Sequence, residues 1–309
     1  MPPPIGKIGL VGVGAVGGFY GLMLHQAGED VHLHLRSNFD KVKEGGFSLV
    51  HHLPKWKEEE VKSVPIYRDT SSIGICDWII IASKATPNDQ IIDLIRPMVD
   101  EKTSFLTLQN GMGNVENIAE TYGEERVILG GLCFTCINRT EPNRIESLLP
   151  GYVQFGQYGG LLSEKGSRLA DAFERSGVKV RRAESLDEAL WRKLCWNVPF
   201  NGLSITSGGI TTDLILSNEV LRERAHRLMI EIQEGAQAYG IMIEDGFIEK
   251  QFQLTEAMGA YKPSSLIDYL AGKQVEVEAI FGKALHRGQS KGAEMKELSK
   301  LYRELLDLT

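Results

Sequence analysis

The feature that most limits what this chain can fold into lies in its first seventeen residues. An apolar run, Lys7-Ile8-Gly9-Leu10-Val11, leads straight into Gly12-Val13-Gly14-Ala15-Val16-Gly17, a G-x-G-x-x-G spacing. Each glycine there has a steric reason. The first permits a tight turn, the second lets a pyrophosphate approach the backbone, and the third lets the next helix pack closely on the strand. In a chain with 33 glycines the spacing alone is a weak signal. Its setting strengthens it: a strand pattern before, a helix pattern over 19–26 after, then a second apolar strand from Val31 to Leu35. This order predicts a dinucleotide site formed by Gly12, Val13, Gly14, Ala15, Val16 and Gly17, with unpaired helix N–H groups facing the phosphates.

The residue closing the second strand selects the cofactor. An NAD site wants a carboxylate there for the ribose hydroxyls, but this chain reads Leu35-Arg36-Ser37. A guanidinium grips phosphate with two parallel N–H bonds, so Arg36 predicts NADP, used as NADPH.

Bulk properties narrow the alternatives. A chain of 309 residues with 42% hydrophobic content predicts about two domains with sizeable cores. A formal net charge of −7 argues against non-specific nucleic-acid binding and against an anionic membrane surface. The sequence shows neither an apolar run of eighteen residues nor a signal-peptide pattern, and Met1-Pro2-Pro3-Pro4 reads as a short stiff leader. Cys76, Cys133, Cys136 and Cys195 lie sparsely in apolar segments, which predicts a reducing, cytoplasmic setting. Cys133 and Cys136 form a C-x-x-C without a second pair, and the seven histidines contain no H-x-x-x-H, so no metal site is expected.

Strand and helix patterns alternate through the first half. Phe47 to Val50 and Val61 to Ile66 could pair around the charged stretch 55–60, and Trp78 to Ala82 is apolar throughout, as a doubly covered strand should be. A helix is expected from Thr86-Pro87-Asn88-Asp89, with Thr86 as cap and Pro87 in its first turn. Strand 104–108, the turn Gln109-Asn110-Gly111, helix 115–122 and strand 127–129 follow. Extended segments over 131–158, with turns at Pro142-Asn143 and Pro150-Gly151, precede helix 163–176 and strand 178–180. The fold class is therefore α/β, a doubly wound parallel sheet. From Ser185 the strand signals nearly vanish. Ser185-Leu186-Asp187-Glu188 is a capping box, and helices are predicted over 186–206, 218–239, 247–258, 273–286 and 293–307. The boundary falls near Ala183-Glu184, giving domains 1–184 and 185–309 with a cleft expected between them.

Helix 186–206 carries the second informative pattern. It is apolar almost all round over 190–203, and a helix of that kind is buried. Yet Lys193, Asn197 and Asn201 recur at i, i+4, i+8 as one polar stripe, interrupted by Pro199. Buried without partners, these groups would cost free energy, so the stripe must meet polar partners or line a cleft.

With these residues in hand, the chain resembles the ketopantoate reductase family. The resemblance rests on Gly12-x-Gly14-x-x-Gly17, Arg36, Lys84, Gln109-Asn110-Gly111-Met112-Gly113, Trp191-Arg192-Lys193-Leu194 with Asn197 and Asn201, then Lys262-Pro263-Ser264, Asp268 and Glu276. It implies an N-terminal Rossmann-type sheet that binds NADP and a C-terminal all-helical domain. It further implies NADPH-dependent reduction of 2-dehydropantoate in pantothenate and coenzyme A biosynthesis. Lys193 would be the catalytic general acid. Asn197, Asn201 and Ser264 would bind substrate, and Asn110 would touch both cofactor and substrate. Glu276 would stand near the nicotinamide, chosen over nearby Glu278 by its spacing of eight from Asp268. Lys84 would contact the cofactor, and a backbone contact to the nicotinamide would fall close to Cys136. The last thirty residues depart from the family: Gly292-Ala293-Glu294-Met295 replaces a glycine-to-proline turn and a charged helix follows. The expected partner is a small 2-keto acid, with a homodimer as the candidate assembly. Two other readings stay open, a reductase of another branched 2-keto acid and an NADP-binding sensor without turnover.

Overall fold

The computed structural model describes residues 5–85 and 88–309, with Asn88 and Asp89 described by backbone alone. The leader 1–4 and the expected cap at Thr86-Pro87 lie outside the described residues. The chain forms two compact units, 1–109 with 114–186, and 110–113 with 187–309. Segment Asn110–Gly113 thus belongs with the helical unit, although it follows a sheet strand in sequence.

The first unit is a ten-stranded sheet among the described residues. Its strands are β1 (Lys7–Val11), β2 (Asp30–His34), β3 (Phe47–His51), β4 (Lys57–Val61), β5 (Ile66–Tyr67), β6 (Trp78–Ile81), β7 (Ser104–Thr107), β8 (Ile128–Glu141), β9 (Arg144–Gln157) and β10 (Val180–Arg182). Five helices accompany it: α1 (Ala15–Gln26), α2 (Phe39–Gly45), α3 (Asn88–Ile95), α4 (Asn114–Tyr122) and α5 (Glu164–Arg175). The order β5-β2-β1-β6-β7-β8 is parallel throughout, the doubly wound arrangement with β1 at the crossover. β9 then pairs antiparallel with β8, and β3 and β4 extend the sheet beyond it. Ile8, Leu10, Ile80, Leu106 and Phe155 are fully buried in its core.

Two sequence expectations fail here for identifiable reasons. The partner of β3 is not the stretch 61–66 but lies earlier, within the charged run: Lys57–Val61 forms β4, an edge strand that exposes one side, where charges discourage further pairing. Pro150-Gly151 is not a turn but a bulge inside β9. Proline lacks the ladder donor, Gly151 takes φ +56°, and the β8 register shifts on both sides of Cys136.

The second unit is helical: α6 (Leu186–Thr206), α7 (Thr212–Ser217), α8 (Glu219–Gln237), α9 (Asp245–Glu256), α10 (Ser264–Leu270), α11 (Lys283–Ser290) and α12 (Lys296–Leu308). A single π-helical turn, Glu278–Gly282, leads into α11, so the expected helix 273–286 starts late and Glu276 precedes it. The short helices α2, α7 and α10 escaped the sequence reading. α6 runs through Pro199 and buries Trp191, Leu194, Val198, Phe200 and Leu203 at the centre of this unit's core. The charged C-terminal helix buries Leu298, Leu301 and Leu305 in this core and is also held by charges. Glu231 of α8 accepts the N–H groups of Glu297 and Leu298, both at 2.7 Å, and Arg224 pairs with Glu297 and Glu304 at 2.6 and 2.8 Å. A carboxylate on otherwise unpaired N-terminal N–H groups serves as the cap that α12 lacks locally.

Candidate active site

On the sheet unit the three loop glycines have the stereochemistry their spacing foretold. Gly12 has φ +86°, and a Cβ there would lie 2.1 Å from the Ser83 nitrogen. At Gly17 a Cβ would meet the Gly12 oxygen at 2.4 Å and the Ala82 Cβ at 2.7 Å, so α1 could not sit this close to the sheet. Gly14 is the opposite case: a Cβ would approach no atom nearer than the Gly12 oxygen at 4.0 Å. That opening is a cradle that any side chain would fill. Gly14 caps α1 without a side-chain hydrogen bond, and the first turn contains no acid, so its positive end is uncompensated locally. These residues fit a dinucleotide pyrophosphate.

The other expected cofactor residues of the sheet unit follow or lie within its strands. Arg36 follows β2, is exposed, and forms no ion pair among the described residues. The neighbouring His34 is buried and its pKa is lowered, chiefly by burial, with the Arg36 charge adding to the effect. Lys84 is exposed just after β6, where its carbonyl accepts from Gln109 Nε2 at 3.3 Å. Cys136 of β8 stands opposite the β9 bulge, where irregular pairing releases backbone groups from the ladder, and burial raises its thiol pKa. One residue escaped the sequence reading. Arg139 of β8 donates from Nη1 to the Val13 carbonyl at 3.3 Å, placing a cation beside the glycine loop from 126 residues away. Only the pairing of β8 brings it there, so no local motif announces it.

The helical unit brings together the polar residues that spacing alone could not connect. Lys193 Nζ donates to Asn110 Oδ1 at 3.1 Å, and Asn110 Nδ2 donates to Glu276 Oε2 at 3.4 Å. Asn110 therefore bridges lysine and carboxylate. Glu276 is only 4% exposed, whereas Glu278 is half exposed and accepts from Tyr302 Oη at 2.6 Å. The two acids part because Glu276 precedes the π turn and Glu278 lies within it. Asn110 is itself held by its neighbours. Met112 N–H donates to the Ala279 carbonyl at 2.9 Å, and Gly111 at φ +82° leaves no room for a Cβ, which would lie 2.1 Å from that oxygen.

The remaining expected residues divide. Asn197 is buried on the same face of α6 as Lys193 and one turn on. Ser264 is exposed at the first position of α10. Asn201 is 1% exposed, with Oδ1 accepting from the Ser265 N–H at 2.9 Å and Nδ2 donating to the Asn197 carbonyl at 3.0 Å. Among the described residues no cluster of His, Cys, Asp and Glu is arranged to hold a metal ion, and no helix is long and apolar enough to cross a membrane.

A glycine loop on a doubly wound sheet, in one chain with a helical unit bearing a lysine–amide–carboxylate chain, defines a dinucleotide-dependent oxidoreductase. Comparison with known proteins narrows the class. Residues 8–160 match the family described as ketopantoate reductase PanE/ApbA, and residues 185–308 match its C-terminal counterpart. The chain belongs to the ketopantoate reductase family. It is 35% identical over 304 residues to a 2-dehydropantoate 2-reductase of Nostoc sp., covering 97% of this chain and 94% of that one. The crystal structure of a 2-dehydropantoate 2-reductase from Geobacter metallireducens superposes with a TM-score of 0.93 at 36% identity, covering 98% of this chain and all of the other. A ternary structure of D-mandelate dehydrogenase with NADH and anilino(oxo)acetate shares the fold, with a TM-score of 0.86 at 24% identity over 97% of each chain.

Proposed function

We propose that this protein is an NADPH-dependent 2-dehydropantoate 2-reductase, forming pantoate for pantothenate and coenzyme A biosynthesis. The observation that carries the reading is the hydrogen-bonded chain from Glu276 through Asn110 to Lys193. Reduction of a 2-keto acid turns a neutral carbonyl oxygen into an alkoxide, which needs a cation beside it and then a proton. When bound, the reduced nicotinamide supplies the hydride that C2 receives. Lys193 stabilises the developing oxyanion by its charge and then gives up one proton, leaving a hydroxyl on the product and a neutral amine on the enzyme. Asn110 holds the ammonium through its carbonyl oxygen, and Glu276 fixes the amide so that this oxygen, not the NH2, faces the lysine.

In this reading Asn110, Asn197, Asn201 and Ser264 bind the substrate's polar groups. On the sheet unit, residues 12–17 and Lys84 hold the cofactor, Cys136 offers a backbone contact, and Arg36 grips the 2′-phosphate. Asn110 and Glu276 also meet the cofactor. Arg139 adds a second cation at the glycine loop. The domains proposed are 1–184 for cofactor and 185–309 for substrate, with Asn110–Gly113 joining the latter in the fold. A homodimer and a cytoplasmic location belong to the same reading, to be tested by light scattering and by cell fractionation.

The experiment is NADPH and NADH oxidation measured with ketopantoate beside 2-ketoisovalerate, pyruvate and oxaloacetate. Ketopantoate with NADPH should give the highest kcat/KM, because a site built to hydrogen-bond a hydroxyl rejects analogues that lack it. Equal efficiency on 2-ketoisovalerate would point to a different branched 2-keto acid. Absence of turnover on all four would favour a sensor.

A further inference from the structure

We propose that Arg68 is a second arginine for the cofactor's 2′-phosphate, a determinant of cofactor choice beside Arg36, and that Asp40 occupies it until the phosphate binds. The inference rests on the NADPH reading for the ligand and on the sheet for the arginine's place. β2 and β5 run parallel, with His34 opposite Tyr67. A further backbone bond, from the Leu35 N–H to the Tyr67 carbonyl at 2.8 Å, carries the pairing past the end of β2. Arg36 and Arg68 therefore follow the carboxyl ends of neighbouring strands, which run about 4.8 Å apart. That edge of a doubly wound sheet is where its ligands bind, and the glycine loop follows β1 on the same edge. Buried His34 is linked to both arginines. Its Nε2 donates to the Arg68 carbonyl at 3.1 Å, and its pKa is lowered by burial and further by the Arg36 charge.

The side chain of Arg68 is held but not used up. Its Cζ lies 4.3 Å from the centre of the Phe39 ring, a cation–π contact that steadies the guanidinium. Nη2 donates to Asp40 Oδ1, and among the described residues no other hydrogen bond engages the guanidinium. Its remaining N–H donors are open to an anion. Both partners of the ion pair stand in water, with side chains 55% and 75% exposed, and such pairs are weak. A phosphate carries more charge than one carboxylate and offers three acceptor oxygens, so it displaces Asp40 from the fork. Asp69, the next residue in sequence, does not compete for the guanidinium, since its carboxylate accepts the Ser71 N–H at 2.9 Å.

The test is calorimetric titration of adenosine 2′,5′-bisphosphate and adenosine 5′-monophosphate, which differ only in the 2′-phosphate, so no turnover is needed. The unmodified protein is compared with Arg68→Ala and Asp40→Asn, each checked by thermal melting. Arg68→Ala should weaken the bisphosphate about tenfold, as expected for one charge-assisted contact, and change the monophosphate less than about twofold. Asp40→Asn should tighten the bisphosphate about threefold, because the weak competitor is gone. This opposite sign keeps the test decisive should Arg68→Ala fail to fold, and an unchanged or weaker bisphosphate in Asp40→Asn would overturn the proposal. Equal weakening of both ligands by Arg68→Ala would also overturn it. So would loss of monophosphate binding in Asp40→Asn, which would make Asp40 a ribose-hydroxyl acceptor. Equal binding of the two ligands by the unmodified protein would sink the NADPH reading and the proposal with it. A preference for the bisphosphate that survives undiminished in Arg68→Ala would sink the proposal alone.

Discussion

Replacing Gly111 by alanine tests whether the position of Asn110 is what makes Lys193 useful. Gly111 adopts φ +82°, and its added methyl would stand 2.1 Å from the Ala279 carbonyl oxygen. Both sides of that collision are backbone, so no flexible side chain can swing away. The segment would have to move by about 1.3 Å before the contact reached an ordinary 3.4 Å. The same oxygen accepts the Met112 N–H, so the move loosens the bond that anchors the segment. Positive φ itself costs an alanine ~1–2 kcal/mol. Misplacing a reacting group by about 1 Å costs ~10²-fold in rate, equivalent to about 2.7 kcal/mol of barrier. We therefore expect Gly111→Ala to lose ~100-fold in kcat/KM for the keto acid while remaining folded. The control is Gly113→Ala. Its φ is +87°, but the nearest atom is the flexible Lys283 Cε at 3.3 Å, so it bears the strain without the backbone collision. Initial rates of NADPH oxidation, paired with thermal melts, separate the two effects. Full activity in folded Gly111→Ala, or equal damage from Gly113→Ala, would refute the reasoning.

Lys193→Ala should lose ~10²–10⁴-fold in turnover with little change in melting temperature, since it removes the proposed proton donor; unaltered turnover would remove it from the mechanism. Glu276→Gln should lower kcat/KM and Glu278→Gln should not, because only Glu276 reaches Asn110; the reverse ranking would mean the wrong acid was chosen. Arg36→Ala should raise the NADPH KM by an amount equivalent to ~1.5–3 kcal/mol and leave the NADH KM nearly unchanged, and equal use of both cofactors by the unmodified protein would count against the phosphate grip. His25, His34 and His51 all have folded-state pKa values lowered chiefly by burial. Their stabilising contribution is present above the ordinary histidine pKa of about 6.5 and is lost as pH falls through their folded-state values. Melting temperature should drop from pH 7 to pH 5, and the drop should be shallower in His34→Gln; parallel curves would show that His34 does not contribute.

Much of the fold was legible because local physics encodes it. The glycine loop can be read from sequence because each glycine answers a constraint set by near neighbours, and Gly12, Gly14 and Gly17 have three different steric surroundings as their spacing required. The all-round apolar character of 186–206 announced a buried helix, and the structure places it at the centre of the helical core. Strand β4 was illegible for a complementary reason. A run such as Lys57-Glu58-Glu59-Glu60 has no intrinsic preference for a strand and becomes one only because β3 offers a partner along an exposed edge.

Sequence by itself determined the class of fold, the glycine loop and the candidate polar residues, since periodicity and backbone stereochemistry act over a few residues. Tertiary structure alone decided how those residues are joined. Asn110 reaches Lys193 across 83 positions and Glu276 across 166, and the short strand-to-helix segment holding it folds with the helices. The different surroundings of Glu276 and Glu278 turn on where a π turn begins, and the meeting of Asn201 Oδ1 with the Ser265 N–H on how α10 packs against α6. A hydrogen bond depends on distance and angle between two groups, and for groups far apart in the chain those are set by how the helices pack, not by spacing along the sequence.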